Sequence, residues 1–295
     1  MFGGSMVAMV TPMNNDGCID HQAVSRLVRF HLDNHTDALV VAGTTGESAT
    51  LDDAEYQALI EQVVAEVDGA IPVLAGAGSC STAKALKLVR LAGQAGVAGT
   101  LVVTPYYNRP MQEGLYAHYA ALADAVDLPL ILYNVPTRTA CDLLPETVQR
   151  LAAIDNIIGI KEACPDHRRI RELRDRIGPG FAILSGDDGT AMAAMLDGAD
   201  GVVSVVANIA PDWTAALCKA ARAGDAEAAW KWDARLTPFY QALAQETNPI
   251  PVKWALYRMG LIGPTLRLPL QPLAEIHRGT FDAVMREAGL IRESA

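Results

Sequence analysis

Lys161 lies inside the run Ile157-Ile158-Gly159-Ile160-Lys161-Glu162-Ala163, which reads as a buried β-strand. A charged amine in an apolar strand is costly unless it is paired or neutral. Side-chain alternation puts Gly159 and Lys161 on one face and Ile158 and Ile160 on the other, so Gly159 is expected to leave room beside the amine. A lysine held in a dry pocket can lose its proton near neutral pH and attack a carbonyl, giving a Schiff base. The plainer reading is a strand-end lysine paired with Glu162 or another carboxylate.

Schiff-base chemistry makes three demands. It needs an amine whose pKa falls by about 3 units, roughly 4 kcal/mol of differential solvation. It needs a proton shuttle, because carbinolamine formation and dehydration move several protons, and a phenol linked to a hydroxyl can serve. A keto acid also needs fixed donors for its carboxylate, which turn amides can supply. Candidates close other apolar runs: Gly43-Thr44-Thr45-Gly46-Glu47-Ser48, Thr104-Pro105-Tyr106-Tyr107-Asn108, Tyr133-Asn134-Val135-Pro136-Thr137-Arg138-Thr139 and Ser185-Gly186-Asp187-Asp188. Each has a bland alternative. The Gly43–Gly46 stretch reads equally as a tight turn, Tyr133 and Tyr107 as core residues with wet hydroxyls, and Arg138 as a surface partner of Asp142. Gly76-Ala77-Gly78 lacks the third glycine of a dinucleotide fingerprint. His31 and His35 have zinc-pair spacing without a third ligand, and an exposed helix face is expected. Cys164 reads as an unreactive thiol, and Asp187 and Asp188 as caps of a following helix.

The elements that must position these groups repeat one unit: a short apolar strand, a Gly-, Thr- or Pro-rich turn, then an amphipathic helix. Strands are expected at residues 5–10, 38–42, 72–75, 100–104, 129–134, 157–161, 182–185 and 201–206. They are near-continuous apolar runs, as in parallel strands buried on both faces. Helices are expected at 52–67, 81–95, 112–125 and 144–153, the first two with capping residues. Eight such units point to a (β/α)8 TIM barrel, with an open doubly wound sheet as the alternative. Catalytic groups of a barrel sit at the C-terminal ends of its strands, where the candidates fall. Residues 211–223, 226–245, 251–259 and 273–288 read as helices with no strand between them. The first completes the barrel, giving a catalytic domain of residues 1–224 and a C-terminal helical extension of residues 225–295. Asn248-Pro249-Ile250-Pro251 is a stiff joint that starts one of these helices.

The chain has 295 residues, 51% hydrophobic and 20% charged, with a net charge of −10. That balance argues against a nucleic-acid or acidic-membrane surface, and an anionic substrate would need local cations. Five cysteines without a CxxC pair fit free thiols in a reducing cytoplasm. The N-terminus lacks the pattern of a signal peptide, and no apolar run reaches the ~18 residues of a membrane span.

Gly43-Thr44-Thr45-Gly46-Glu47, Thr104-Pro105-Tyr106-Tyr107, Tyr133-Asn134-Val135-Pro136 and Gly159-Ile160-Lys161-Glu162 together resemble the motifs of the dihydrodipicolinate synthase / N-acetylneuraminate lyase superfamily. Thr137-Arg138-Thr139 and Asn248-Pro249-Ile250-Pro251-Val252-Lys253 are similar to its dihydrodipicolinate synthase branch. The likeness spans essentially the whole chain. It implies a class I aldolase-type enzyme of lysine and diaminopimelate synthesis that condenses pyruvate with aspartate semialdehyde, without metal or organic cofactor. By this resemblance Lys161 forms the Schiff base with pyruvate, Tyr133 is the general acid/base, and Thr44 and Tyr107 complete a proton relay. Tyr107 would enter the neighbouring subunit's site. Thr45, Val203 and Gly186 would hold pyruvate, and Arg138 the carboxylate of the semialdehyde. The family is commonly a homotetramer of two tight dimers.

Two departures stand out. Ala140 occupies a position where the family often has glycine. In lysine-inhibited members the positions matching Asp53, Tyr56, Cys80 and Lys84 are typically histidines or similar, an asparagine and a glutamate. Ser48, Ala49 and Tyr106 fit that regulatory site, but Lys84 replaces the acid that would pair with the ligand's ammonium. Weak or absent inhibition by lysine is expected. The alternatives are another pyruvate-dependent lyase of the same fold, acting on N-acetylneuraminate or keto-deoxy sugar acids, and a non-catalytic pyruvate-binding barrel.

Overall fold

The structure is a computed structural model that describes residues 2–166 and 168–292. Its elements follow the expected alternation. The first half runs β1 (Gly4–Ala8), α1 (His21–Asp33), β2 (Ala38–Val41), α2 (Asp53–Val67), β3 (Val73–Gly76), α3 (Thr82–Gln94), β4 (Gly99–Val103) and α4 (Gln112–Asp124). The second runs β5 (Leu130–Asn134), the single turn α5 (Pro136–Thr139), α6 (Pro145–Leu151), β6 (Ile157–Glu162), α7 (Arg168–Ile177), β7 (Ala182–Ser185), α8 (Ala191–Leu196) and β8 (Gly201–Ser204). Four helices follow: α9 (Pro211–Arg222), α10 (Ala226–Leu243), α11 (Ile250–Arg258) and α12 (Glu275–Glu287).

Every strand is parallel to its neighbours, and β1 pairs with β8, so the sheet closes in sequence order into a (β/α)8 barrel. Met6, Val40, Leu74, Leu101, Ile131, Leu184 and Val203 fill the interior. The alternate residues, such as Leu39, Val102, Leu132, Ile160 and Val202, pack outward under the helices. Burial on both faces is why the strands read as apolar runs. The helices start where their caps place them. Asp52 accepts from the Glu55 amide while Glu55 answers the Asp52 amide, a reciprocal box at the head of α2. Ser81 caps α3 one way only, its hydroxyl accepting from the Lys84 amide. The helix α9 packs on β1 and α10. No helix among the described residues is long and apolar enough to cross a membrane.

Three expectations need correction. The strand expected at 201–206 stops at Ser204. Asp188 accepts from the Val205 and Val206 amides, at 3.0 and 2.8 Å, and the chain then turns into the short 3-10 helix Val206–Asn208. Alternation is broken in β6: its register with β5 shifts between Leu130 and Ile131, and Ile158 packs with the interior residues instead of beside Ile160. His31 is not on an exposed helix face. It is fully buried, with Nδ1 3.0 Å from Thr36 Oγ1, while His35 lies beyond the end of α1 with φ 60°.

Candidate active site

Strand register does the first positioning. On β5 and β6, Tyr133 stands opposite Lys161 and Asn134 opposite Glu162. Tyr133 belongs to the interior, and the Lys161 Nζ lies over its ring, 4.4 Å from the centroid. Both side chains are almost enclosed, 8% and 5% exposed. None of the ion pairs among the described residues involves Lys161. Glu162 is committed elsewhere: it accepts from Asn134 Nδ2 and from the Cys164 amide. The paired-lysine reading therefore fails on geometry: the nitrogen is committed to no carboxylate among the described residues.

The room beside the amine comes from a different glycine than alternation suggested. A Cβ on Gly159 would meet Ala182 on the next strand. A Cβ on Gly186, at the end of β7, would stand 3.0 Å from Lys161 Cε and 2.7 Å from Ala163 Cβ. Gly186 is thus the residue whose missing side chain lets the lysine stem lie where it does. A cavity of about 330 Å³ opens next to it, bounded by Asp187, Val205, Tyr240, Asn248 and Pro251. A larger hollow of about 600 Å³ lies between the α3 and α4 ends, lined by Arg90, Gln94, Val97, Asp127 and Pro129. It offers no nucleophile for carbonyl chemistry.

Across the mouth, the turn after β2 carries Thr44 and Thr45. Their amides make no hydrogen bond to another described residue, which leaves two donors for an anion. Thr45 is buried, and its hydroxyl accepts from Asn248 Nδ2 at 2.9 Å. The Asn248 carbonyl in turn accepts from Arg138 at 3.2 Å. Arg138 is exposed and does not pair with Asp142, which Arg169 holds at 2.9 Å. Asn248 therefore joins the β2 turn to the β5 loop. Only a stiff joint was legible there, because the partners lie 203 and 110 residues away. Val203 is buried in the interior on β8.

Tyr107 is not brought into this chain's own mouth. It is 91% exposed with φ 72°, in a loop tied down by Asn108 Nδ2 on the Cys80 carbonyl at 2.8 Å. Ala140 adopts φ 58°, the left-handed conformation that suits glycine better. The regulatory candidates are scattered in character. Ser48, Ala49 and Lys84 are exposed, Tyr106 is 37% exposed and Cys80 is half-buried. Tyr56 is packed in the core, and burial pushes its phenol above the ordinary range. Asp53 is engaged by Lys87. Asp187 caps the short 3-10 helix Asp188–Thr190, as expected, whereas Asp188 holds the β8 end. Burial raises its carboxyl pKa, against hydrogen bonds from Ser204 and the two amides.

A closed parallel barrel with an unpaired lysine beside a tyrosine, at the C-terminal ends of adjacent strands, defines a class: the lysine-bearing (β/α)8 barrels. Within it, the chain belongs to the Dihydrodipicolinate synthetase family, whose model matches residues 1–288. It is similar to the 4-hydroxy-tetrahydrodipicolinate synthase of Stutzerimonas stutzeri, with 52% identity covering 99% of this chain and 100% of that one. Among solved structures it is similar to the chloride-inhibited dihydrodipicolinate synthase of Acinetobacter baumannii complexed with pyruvate (TM-score 0.97, 46% identity, 99% of this chain and 100% of that one). It is also similar to the Cyanidioschyzon merolae enzyme with lysine bound (TM-score 0.95, 38% identity, 98% and 99% covered).

Proposed function

We propose that the chain catalyses the Schiff-base condensation of pyruvate with L-aspartate-4-semialdehyde, the reaction of a 4-hydroxy-tetrahydrodipicolinate synthase in lysine and diaminopimelate biosynthesis. The observation that carries this is the Lys161 amine, enclosed, free of a carboxylate and 4.4 Å from the Tyr133 ring centroid. Lys161 adds to the keto carbon of pyruvate and expels water, with Tyr133 moving the protons and Thr44 and Tyr107 relaying them. The Thr44–Thr45 turn, Val203 and Gly186 hold pyruvate. Loss of a proton from the methyl carbon turns the imine into an enamine, which attacks the aldehyde carbon and so restores the imine. The semialdehyde's amino group then closes on the imine carbon and releases the lysine. Arg138, steadied by the Asn248 carbonyl, takes the second substrate's carboxylate.

In this reading residues 1–224 are the catalytic barrel, and residues 225–295 are an extension that supplies Asn248. The assembly is a homotetramer of two tight dimers, located in the cytoplasm, with Tyr107 acting in the neighbouring subunit and no cofactor required. Reduction with borohydride in the presence of pyruvate, followed by peptide mapping, tests the chemistry. An adduct on Lys161 is expected, together with turnover when aspartate semialdehyde is added. No adduct, or an adduct at another lysine, would overturn the proposal. Lysine is a weak inhibitor or none, because exposed Lys84 repels an ammonium and Asp53 is already paired. A titration of initial rates checks this, and half-inhibition below a millimolar would count against it.

A further inference from the structure

One residue past Tyr133 and Lys161, side chains turn from the inside of the barrel to its outer face. There Asn134 and Glu162 stand opposite each other, 0% and 4% exposed. Asn134 Nδ2 donates to both Glu162 oxygens, at 3.0 and 3.1 Å, and to Asp142 Oδ1 at 2.7 Å. Asn134 Oδ1 accepts from the Leu143 amide at 3.0 Å, which fixes the orientation of the side-chain amide. Glu162 Oε1 also accepts from the Cys164 amide at 2.7 Å.

We propose that Asn134 and Glu162 form a clasp on the outside of the barrel that sets the separation of Tyr133 and Lys161 on the inside, and so are positioning residues for the Schiff-base step. The inference rests on those two being the reacting pair. Lower in the same strand pair the β5–β6 register slips, leaving Ile158 unpaired. The backbone ladder below the site is therefore irregular at the point where the phenol and amine need a fixed spacing. The clasp closes the pair above the irregularity, and it links side chains whose Cα atoms are direct neighbours of Tyr133 and Lys161. Displacing reacting groups by about 1 Å can cost ~100-fold in rate, so a device that holds this spacing has a measurable effect.

The groups that face Glu162 are Asp142, before α6, Arg169 on α7, and Cys164 in the turn after β6. Arg169 is engaged by Asp142, at 3.3 and 2.9 Å. Glu162 thus has an amide, not a guanidinium, as its side-chain donor. Burial pushes its carboxyl up to about 7. Ionised, it accepts from Asn134 with both oxygens; protonated, it gives one of them up. The clasp therefore loosens on the acid side of neutrality.

The test compares Glu162→Gln and Asn134→Ala with the parent as full-length protein, folded by circular dichroism. Rates are measured with pyruvate and aspartate semialdehyde across pH 6 to 9, alongside borohydride trapping. We expect kcat to fall about 10- to 100-fold with KM for pyruvate little changed, as befits a lost geometry rather than a lost contact. We also expect the parent's rise in kcat through neutral pH to be flattened in Glu162→Gln. Should Asn134→Ala fail to fold, the isosteric Glu162→Gln decides alone. A kcat within about twofold of the parent in the folded variants, or superimposable pH profiles, would overturn the clasp. A parent that traps pyruvate on Lys161 while the variants keep its rate sinks the clasp only. A parent that fails to trap it sinks the proposed chemistry and the clasp together.

Discussion

Glu162 has a stability signature that can be read apart from catalysis. Burial moves its carboxyl from the ordinary 4.5 up to about 7, with Asn134 and the Cys164 amide only partly opposing the shift. Between about pH 4.5 and 7 the folded chain keeps a proton that the unfolded chain has lost. Its contribution to stability is therefore full below the lower value and declines as pH rises to the upper, by about 3 kcal/mol in all. His31 and His118 act in the opposite sense. Burial pushes them down to about 3 and about 4, so they favour folding increasingly as pH rises toward 6.5. Only the difference between parent and Glu162→Gln isolates the carboxyl. Urea unfolding at several pH values is expected to show the parent losing stability relative to the variant between pH 5 and 7; parallel curves would refute this. Lys161 and Tyr133 were legible in the sequence because each interrupts an apolar strand at its C-terminal end. Asn134 and Glu162 were equally visible as letters. Their pairing depends on the β5–β6 register, and that register carries an irregularity that alternation does not reveal.

At the scale of elements, the C-terminal helices reach back to the turn that carries Thr44 and Thr45. Lys253 on α11 forms an ion pair with Glu47, both side chains fully enclosed, and its Nζ also donates to the Thr11 carbonyl at 3.0 Å. The other Glu47 oxygen accepts from the Arg267 amide at 3.0 Å. The Arg267 guanidinium spans Glu55, the Thr50 carbonyl and the Gly17 carbonyl. Breaking a buried ion pair by removing one partner leaves an uncompensated charge, which costs about 3–5 kcal/mol. Lys253→Met is expected to lower unfolding stability by that amount and to loosen the turn proposed to hold pyruvate. A double variant, Lys253→Met with Glu47→Leu, should recover most of the stability without restoring activity. Chemical denaturation and initial rates check both parts, and equal losses in the single and double variants would contradict the account. The strand and helix positions were readable because period, caps and turn residues are local signals, as at Asp52 and Ser81. These ties were not, because Lys253 and Glu47 are 206 residues apart and nothing local in either motif names its partner.

For the whole molecule, the role proposed for Tyr107 sets how many chains would make one site. It is 91% exposed on its own chain, an unusual position for a large aromatic proposed to relay protons. Its backbone sits at φ 72°, a conformation that costs a non-glycine residue about 1–2 kcal/mol and persists where the surroundings impose it. Asn108 and Arg109 supply that restraint by bonding to the Cys80 and Ala140 carbonyls. The loop is therefore held while the phenol projects off the chain, as expected of a residue that completes a partner's site. Two inactive variants then form a decisive pair. In a mixed dimer of Tyr107→Phe and Lys161→Ala, the Tyr107→Phe chain keeps its lysine and receives an intact tyrosine from its partner. Random reassociation makes half the dimers mixed, each with one complete site, so about a quarter of the parent's activity should return. If Tyr107 served its own chain, each site in the mixed dimer would lack one of the two groups, and mixing would restore nothing. Dissociating, mixing and reassociating the two variants, with rates followed at constant total protein, separates the two arrangements.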